Sequence, residues 1–134
     1  MTLPEVVLDD TTVRALFEPK NPANQAVTQF YVEASFGHGR MVAPALCLVI
    51  ADLAAEGAAG HATSRRFLTV EAFDSEAVTD GVRLVEDGYT WSASQAIRAA
   101  RPTAERPDGR VVLTLTPDAY EDAGVIAVHP DGTA

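Results

Sequence analysis

The side chains with the most chemical potential in this chain are carboxylates that follow apolar runs. Glu5-Val6-Val7-Leu8 ends in Asp9-Asp10, and the run that starts at Val111-Val112-Leu113 leads through Thr116 and Pro117 to Asp118. An acid at the carboxyl end of a buried strand stands where open parallel sheets gather ligands, near the point at which strand order reverses. Asp9 in that place fits one oxygen ligand of a hard cation such as Mg²⁺, with Asp10 beside it as a second. Asp118 is the candidate to swing inward and join them. The same spot also needs an acceptor for the first turn of a helix, so Asp9 and Asp10 read equally as caps of a helix beginning at Thr11. Residue type alone does not separate ligand from cap.

Other chemistries lack their signatures. No G-x-G-x-x-G, G-x-x-x-x-G-K-[ST] or G-x-S-x-G occurs, which removes dinucleotide, P-loop and nucleophile-elbow readings. His38, His61 and His129 have no metal-ligand spacing and read as exposed loop residues, and Gly37-His38-Gly39 reads as a helix-ending turn. The single cysteine, Cys47, sits among Ala45, Leu46, Leu48 and Val49 with no basic neighbour to activate it. It cannot form an internal disulfide, and the expected setting is a reducing cytoplasm. Trp91 and the scattered aromatics read as core rather than as a platform for stacking bases.

Composition bounds the rest. At 134 residues the chain is expected to form one domain. Hydrophobic residues at 47% and charged residues at 22% exclude wholesale disorder. Ten Lys+Arg against 19 Asp+Glu give a net charge of −9, which argues against a passive nucleic-acid coat protein. Met1 to Glu5 lack the basic region of a signal peptide, and the apolar run from Met41 to Ala51 is too short to span a bilayer. No membrane association is expected.

The elements that must position the acids alternate. A strand over 5–8 feeds a helix from Thr11 to Phe17, with Thr11 or Asp10 as N-cap. After Pro19 and Pro22, Asn24 is read as the cap of a helix over 25–36 with Val27, Phe30, Tyr31 and Ala34 on one face. A strand over 40–43 precedes a helix opened by Pro44 and running to Glu56; it is apolar on nearly every face and should be deeply packed. Gly57 and Gly60 end it. A strand over 67–70 leads to a helix capped by Asp74 or Ser75, whose apolar stripe is Val78, Val82 and Val85. A helix over 91–101, a Pro-rich loop over 102–109, a central strand over 111–115, a helical turn over 117–122, a strand over 125–128 and a loose tail over 129–134 complete the chain. The expectation is a single three-layer α/β domain over 1–134, with a mainly parallel central sheet of four or five strands flanked by helices.

Several of these segments, in order, resemble a family. Val6-Val7-Leu8-Asp9-Asp10-Thr11-Thr12 looks like the opening of PIN domains, the ribonuclease fold of VapC-type toxins, whose first strand ends in Leu-Asp-Thr-Ser. Val42 to Leu48, Ser94 to Ala100, Val112 to Tyr120 and Gly124 to Val128 resemble that family's second strand and next helix, its Ala-rich helix and its last two strands. The resemblance implies a Mg²⁺- or Mn²⁺-dependent endoribonuclease with three or four clustered acids. Asp9 matches the first of them. The second position falls on Ile50, the third on Ala93 and the fourth on Thr116. Asp52 lies two residues past Ile50, about 200° around a helix from the ligand face.

The expected function is accordingly a PIN-like domain with a degenerate metal site, holding Mg²⁺ or Mn²⁺ weakly or not at all and retained as a protein-binding or regulatory module. The resemblance makes a homodimer the expected assembly and an antitoxin-like protein a possible partner. One alternative is a divergent endoribonuclease of a toxin–antitoxin system, with Asp9, Asp10 and Asp118 on one metal and RNA as substrate. Another is a receiver-like phospho-acceptor domain using Asp52 with the Asp9-Asp10 pair, although Lys20, the lone lysine, lies far from the last strands.

Overall fold

A computed structural model describes residues 5–132; the reading of the N-terminus as lacking a leader rests on Met1 to Pro4, which lie outside the described residues. The described chain runs β1 (Glu5–Leu8), α1 (Asp10–Phe17), α2 (Asn24–Ser35), β2 (Arg40–Pro44), α3 (Ala45–Ala54), α4 (Ala58–Thr63), β3 (Leu68–Glu71), α5 (Ser75–Glu86), α6 (Trp91–Ala100), β4 (Val111–Leu113), a 3₁₀ turn (Pro117–Tyr120) and β5 (Ile126–Val128). All strand pairs are parallel, in the order β3-β2-β1-β4-β5. β1 is central, as its uninterrupted apolar run requires of a strand covered on both faces.

Alternation along β1 and β4 divides the core into two layers. Leu8 and Leu113 face one side, where they pack with Val13 and Leu16 of α1, Val27 of α2, Leu48 of α3 and Ala58 of α4. Val7 and Val112 face the other, against Leu84 of α5, Ile97 and its neighbouring alanines on α6, and Tyr120. The small residues of α6 let it lie close to the sheet. Buried Gln95 ties that layer together: its carbonyl accepts the Leu46 N–H at 2.7 Å, and its amide donates to the Glu71 and Ala72 carbonyls. The Leu46 N–H belongs to the first turn of α3, which has no cap side chain of its own.

The structure corrects the local expectations in five places. The N-cap of α1 is Asp9, not Asp10 or Thr11. Asn24 does not cap α2; its amide donates to the Ala15 and Leu16 carbonyls and so closes the C-terminus of α1. The helix after Pro44 stops at Ala54, short of Gly57 as expected, but Gly60 lies inside a further short helix, α4, which starts after Gly57 at φ +99° with Asp52 Oδ2 accepting the N–H groups of Gly57 and Ala59. Helix α3 is not packed all round, since Val49, Ile50 and Leu53 are exposed. Finally, α5 buries Ala77, Gly81 and Leu84, while Val78 and Val82 face solvent. The cause is Trp91, whose ring lies so close to Gly81 that a Cβ there would stand 2.7 Å from Cζ3.

Candidate functional site

The strand order turns at β1 and β4, and the crevice beyond their carboxyl ends holds the polar residues of the core. Asp9 follows β1 directly and is fully buried. Its Oδ1 accepts the Thr11 N–H at 3.0 Å, the Thr12 N–H at 3.2 Å and the Thr11 hydroxyl at 2.6 Å. Its Oδ2 accepts the Tyr120 hydroxyl at 2.8 Å. The Thr12 hydroxyl donates to the Leu113 carbonyl at 2.7 Å, and the Thr11 hydroxyl accepts the Leu115 N–H at 2.9 Å. The two threonines therefore stitch the start of α1 to the end of β4, and the carboxylate is the knot.

Tyr120 is the residue that sequence reasoning missed. It lies two residues beyond Asp118, within the segment Thr116-Pro117-Asp118-Ala119-Tyr120. The 3₁₀ turn points Tyr120 into the core and leaves Asp118 exposed to solvent. Its phenol is held far above its ordinary pKa, first by burial and then by the Asp9 charge and the hydrogen bond to it. At every ordinary pH it is a donor. The available signal was an aromatic with a polar tip one helical turn past a strand end, a residue type that when buried seeks a partner for its hydroxyl.

The remaining polar groups complete the crevice. Asp10 is half-buried, and its carboxyl is raised above the usual range by that burial and by the neighbouring Asp9 charge. The Cys47 thiol donates to the Ser92 carbonyl, and burial followed by the Asp9 and Asp10 charges pushes it up, so it stays protonated and unreactive. Thr114 and Thr116 form a hydroxyl ladder with Thr11, at 3.4 and 3.3 Å.

Asp9 and Asp10 are thus brought together, whereas Asp118 makes no hydrogen bond or ion pair with either. Of the positions that the family resemblance assigns to acids, Ile50 faces outward on α3, Ala93 is buried in the first turn of α6, and Thr116 is exposed. Among the described residues, no three of His, Cys, Asp and Glu converge in a metal-binding geometry. The receiver-like reading is corrected by the fold: Asp52 stands on α3 and caps α4, not at a strand end.

No protein-family model and no curated protein sequence matches the chain. Among solved structures it is similar to VapC20 of Mycobacterium tuberculosis, described as a toxin that cleaves the sarcin–ricin loop. The similarity has a TM-score of 0.67 at 12% identity and covers 93% of this chain and 99% of that one. The chain has the PIN-like α/β fold of VapC proteins.

Proposed function

We propose that this chain is a PIN-like domain whose nuclease centre has been converted into a structural knot, and that it acts by binding other protein chains. The observation that carries this reading is the state of Asp9. Both carboxylate oxygens are engaged by protein donors, and the position opposite Oδ2 is taken by a phenol that keeps its proton. A hard divalent ion asks for about six oxygen ligands and gives up its waters reluctantly. Here it would find Asp10 as the nearest second anion, with alanine and threonine at two of the implied ligand positions. The residues present do not fit such an ion, and no step of hydrolysis is derived through one.

Thermal unfolding with and without millimolar Mn²⁺, together with a cleavage assay on structured RNA, tests the reading. The expected result is no shift in melting temperature and no metal-dependent cleavage. A metal-dependent shift and cleavage that both vanish in Asp9→Asn would establish the endoribonuclease instead. Restoring acids at the implied positions while removing the phenol (Ile50→Glu, Ala93→Asp, Thr116→Asp, Tyr120→Phe) should create a Mn²⁺-dependent shift.

The exposed face of α3 supports a protein partner. Val49, Ile50 and Leu53 are exposed at helical spacing, Leu53 at 80%, with half-buried Leu46 extending the stripe. Helix α6 crosses the start of α3 where Cys47 meets Ser92. We assign this face to a second copy of the chain. Leu53→Glu should turn a dimer into a monomer in sedimentation without lowering stability, and a wild-type monomer at high concentration would refute the assignment. The VapC neighbour makes an antitoxin-like protein the second partner to test, by co-purification with the product of an adjacent reading frame.

A further inference from the structure

The amino ends of β2 and β3 carry a feature opposite in character to the Asp9 crevice. The turn after α2 enters β2 at Arg40, and the segment Arg65-Arg66-Phe67 enters β3, so the two approaches lie side by side. Between them is a cavity of about 620 Å³ lined by Phe36, Gly37, Arg40, Arg66, Phe67 and Thr69 among others, with no acidic side chain in its wall.

Its cations are not neutralised by carboxylates. Arg66 lies over the Phe67 ring at 5.4 Å and Arg65 over the Tyr31 ring at 5.7 Å, while the Tyr31 and Phe67 rings meet edge to face at 6.1 Å. Arg65 also contacts His61 at 2.6 Å. Arg40 and Arg66 make no hydrogen bond or ion pair among the described residues, so their guanidinium donors are open to a ligand. The acids beside Arg40 are engaged elsewhere: Glu5, its register partner on β1, faces Arg106 and Arg110, and Glu33 is bonded to His38 and Gln29. The carbonyls that end α2 are likewise taken, by the N–H groups of Phe36, Gly37 and His38. Phe36 is 70% exposed, a cost that a purely structural turn has no reason to carry.

Three arginines gathered on one edge of a chain with net charge −9 act locally, because screening confines the field of the remaining acids to about 8 Å at physiological salt. Guanidinium groups flanking an exposed aromatic face match a ligand that alternates phosphates with flat rings. An acidic peptide would satisfy the charge but leave Phe36 without a partner.

We propose that this cavity is a binding site for single-stranded nucleic acid, with one base stacked on Phe36 and the adjoining phosphates held by Arg40 and Arg66. The site lies at the end of the sheet opposite Asp9 and does not rest on the reading of the crevice.

Fluorescence anisotropy of a labelled oligouridylate hexamer, titrated with the full chain at low and physiological salt, tests it. Saturable binding is expected, weakened about tenfold or more by Arg40→Ala/Arg66→Ala with a shallower salt dependence, and about fivefold or more by Phe36→Ala. Arg83→Ala on α5 removes one charge elsewhere and should leave binding unchanged, whereas Arg40→Ala and Arg66→Ala made singly should each weaken it. A thymidylate hexamer run in parallel tells which sugar the site takes. Absence of saturable binding overturns the proposal. So does binding that Phe36→Ala leaves intact, or that an oligoglutamate peptide of equal charge displaces equally well, since either would make the patch a site for acidic protein segments. Circular dichroism of each variant guards against loss through misfolding; Lys substitutions at 40 and 66 should retain most of the binding.

Discussion

The two ends of one parallel sheet treat charge in opposite ways. At the carboxyl end, Asp9 is buried, and both its oxygens are engaged, Oδ1 by amides and a hydroxyl and Oδ2 by the Tyr120 phenol. At the amino end, Arg40 and Arg66 stand open to solvent, and Arg66 lies over the Phe67 ring rather than on a counter-ion. Both places hold residue types that bind ligands elsewhere. A charged group already saturated by its own chain contributes to folding, because a buried carboxylate without donors is costly and one with four is stable. A charged group left with free donors keeps its capacity to bind.

This contrast breaks most visibly at Asp9. Asp9→Ala removes the α1 cap and leaves the Tyr120 and Thr11 hydroxyls and the Thr11 and Thr12 N–H groups without their acceptor; a loss of about 2–4 kcal/mol in urea unfolding is expected. A loss below about 0.5 kcal/mol would mean that the carboxylate is free to serve a ligand after all. Tyr120→Phe deletes only the donor to Oδ2 and should cost about 1.5–3 kcal/mol, the range for a hydrogen bond to a charged acceptor. Asp10 sharpens the picture through pH. Its carboxyl is raised above its ordinary value of 3.8 by burial and by Asp9, so the folded state binds that proton more tightly than the unfolded chain does. Stability therefore falls as pH rises through the window that opens near 3.8. Asp10→Asn should raise the melting temperature at pH 7, with the gain vanishing below that window. The smallest effect belongs to the other end: Arg66→Ala should change stability by no more than about 0.5 kcal/mol, because the side chain supports no buried partner.

Much of the frame was legible in the residues. The apolar run at Val111 and the compact run before Asp9 mark adjacent central strands, and their spacing by helices dictates parallel pairing. What escaped were features fixed by contacts distant in sequence. The Trp91 ring on Gly81 rotates α5 so that its valines face outward, and no local periodicity contains that information. Asp52 reaches across the Gly57 turn to hold the first N–H groups of α4, a short helix that the pattern of Gly57 and Gly60 concealed. In the crevice, the position of Asp9 was readable, but its saturation depended on Tyr120, more than a hundred residues away. The arginines of the amino edge were obscured by a net charge that averages over the whole surface.

The central question is whether the carboxyl-end crevice takes up a divalent cation. Isothermal titration of Mn²⁺ into the metal-free chain answers this directly. With Asp9 engaged by its own chain, the expectation is no saturable heat and no one-to-one uptake. Saturable uptake that disappears in Asp9→Asn, with that variant still folded, would contradict it.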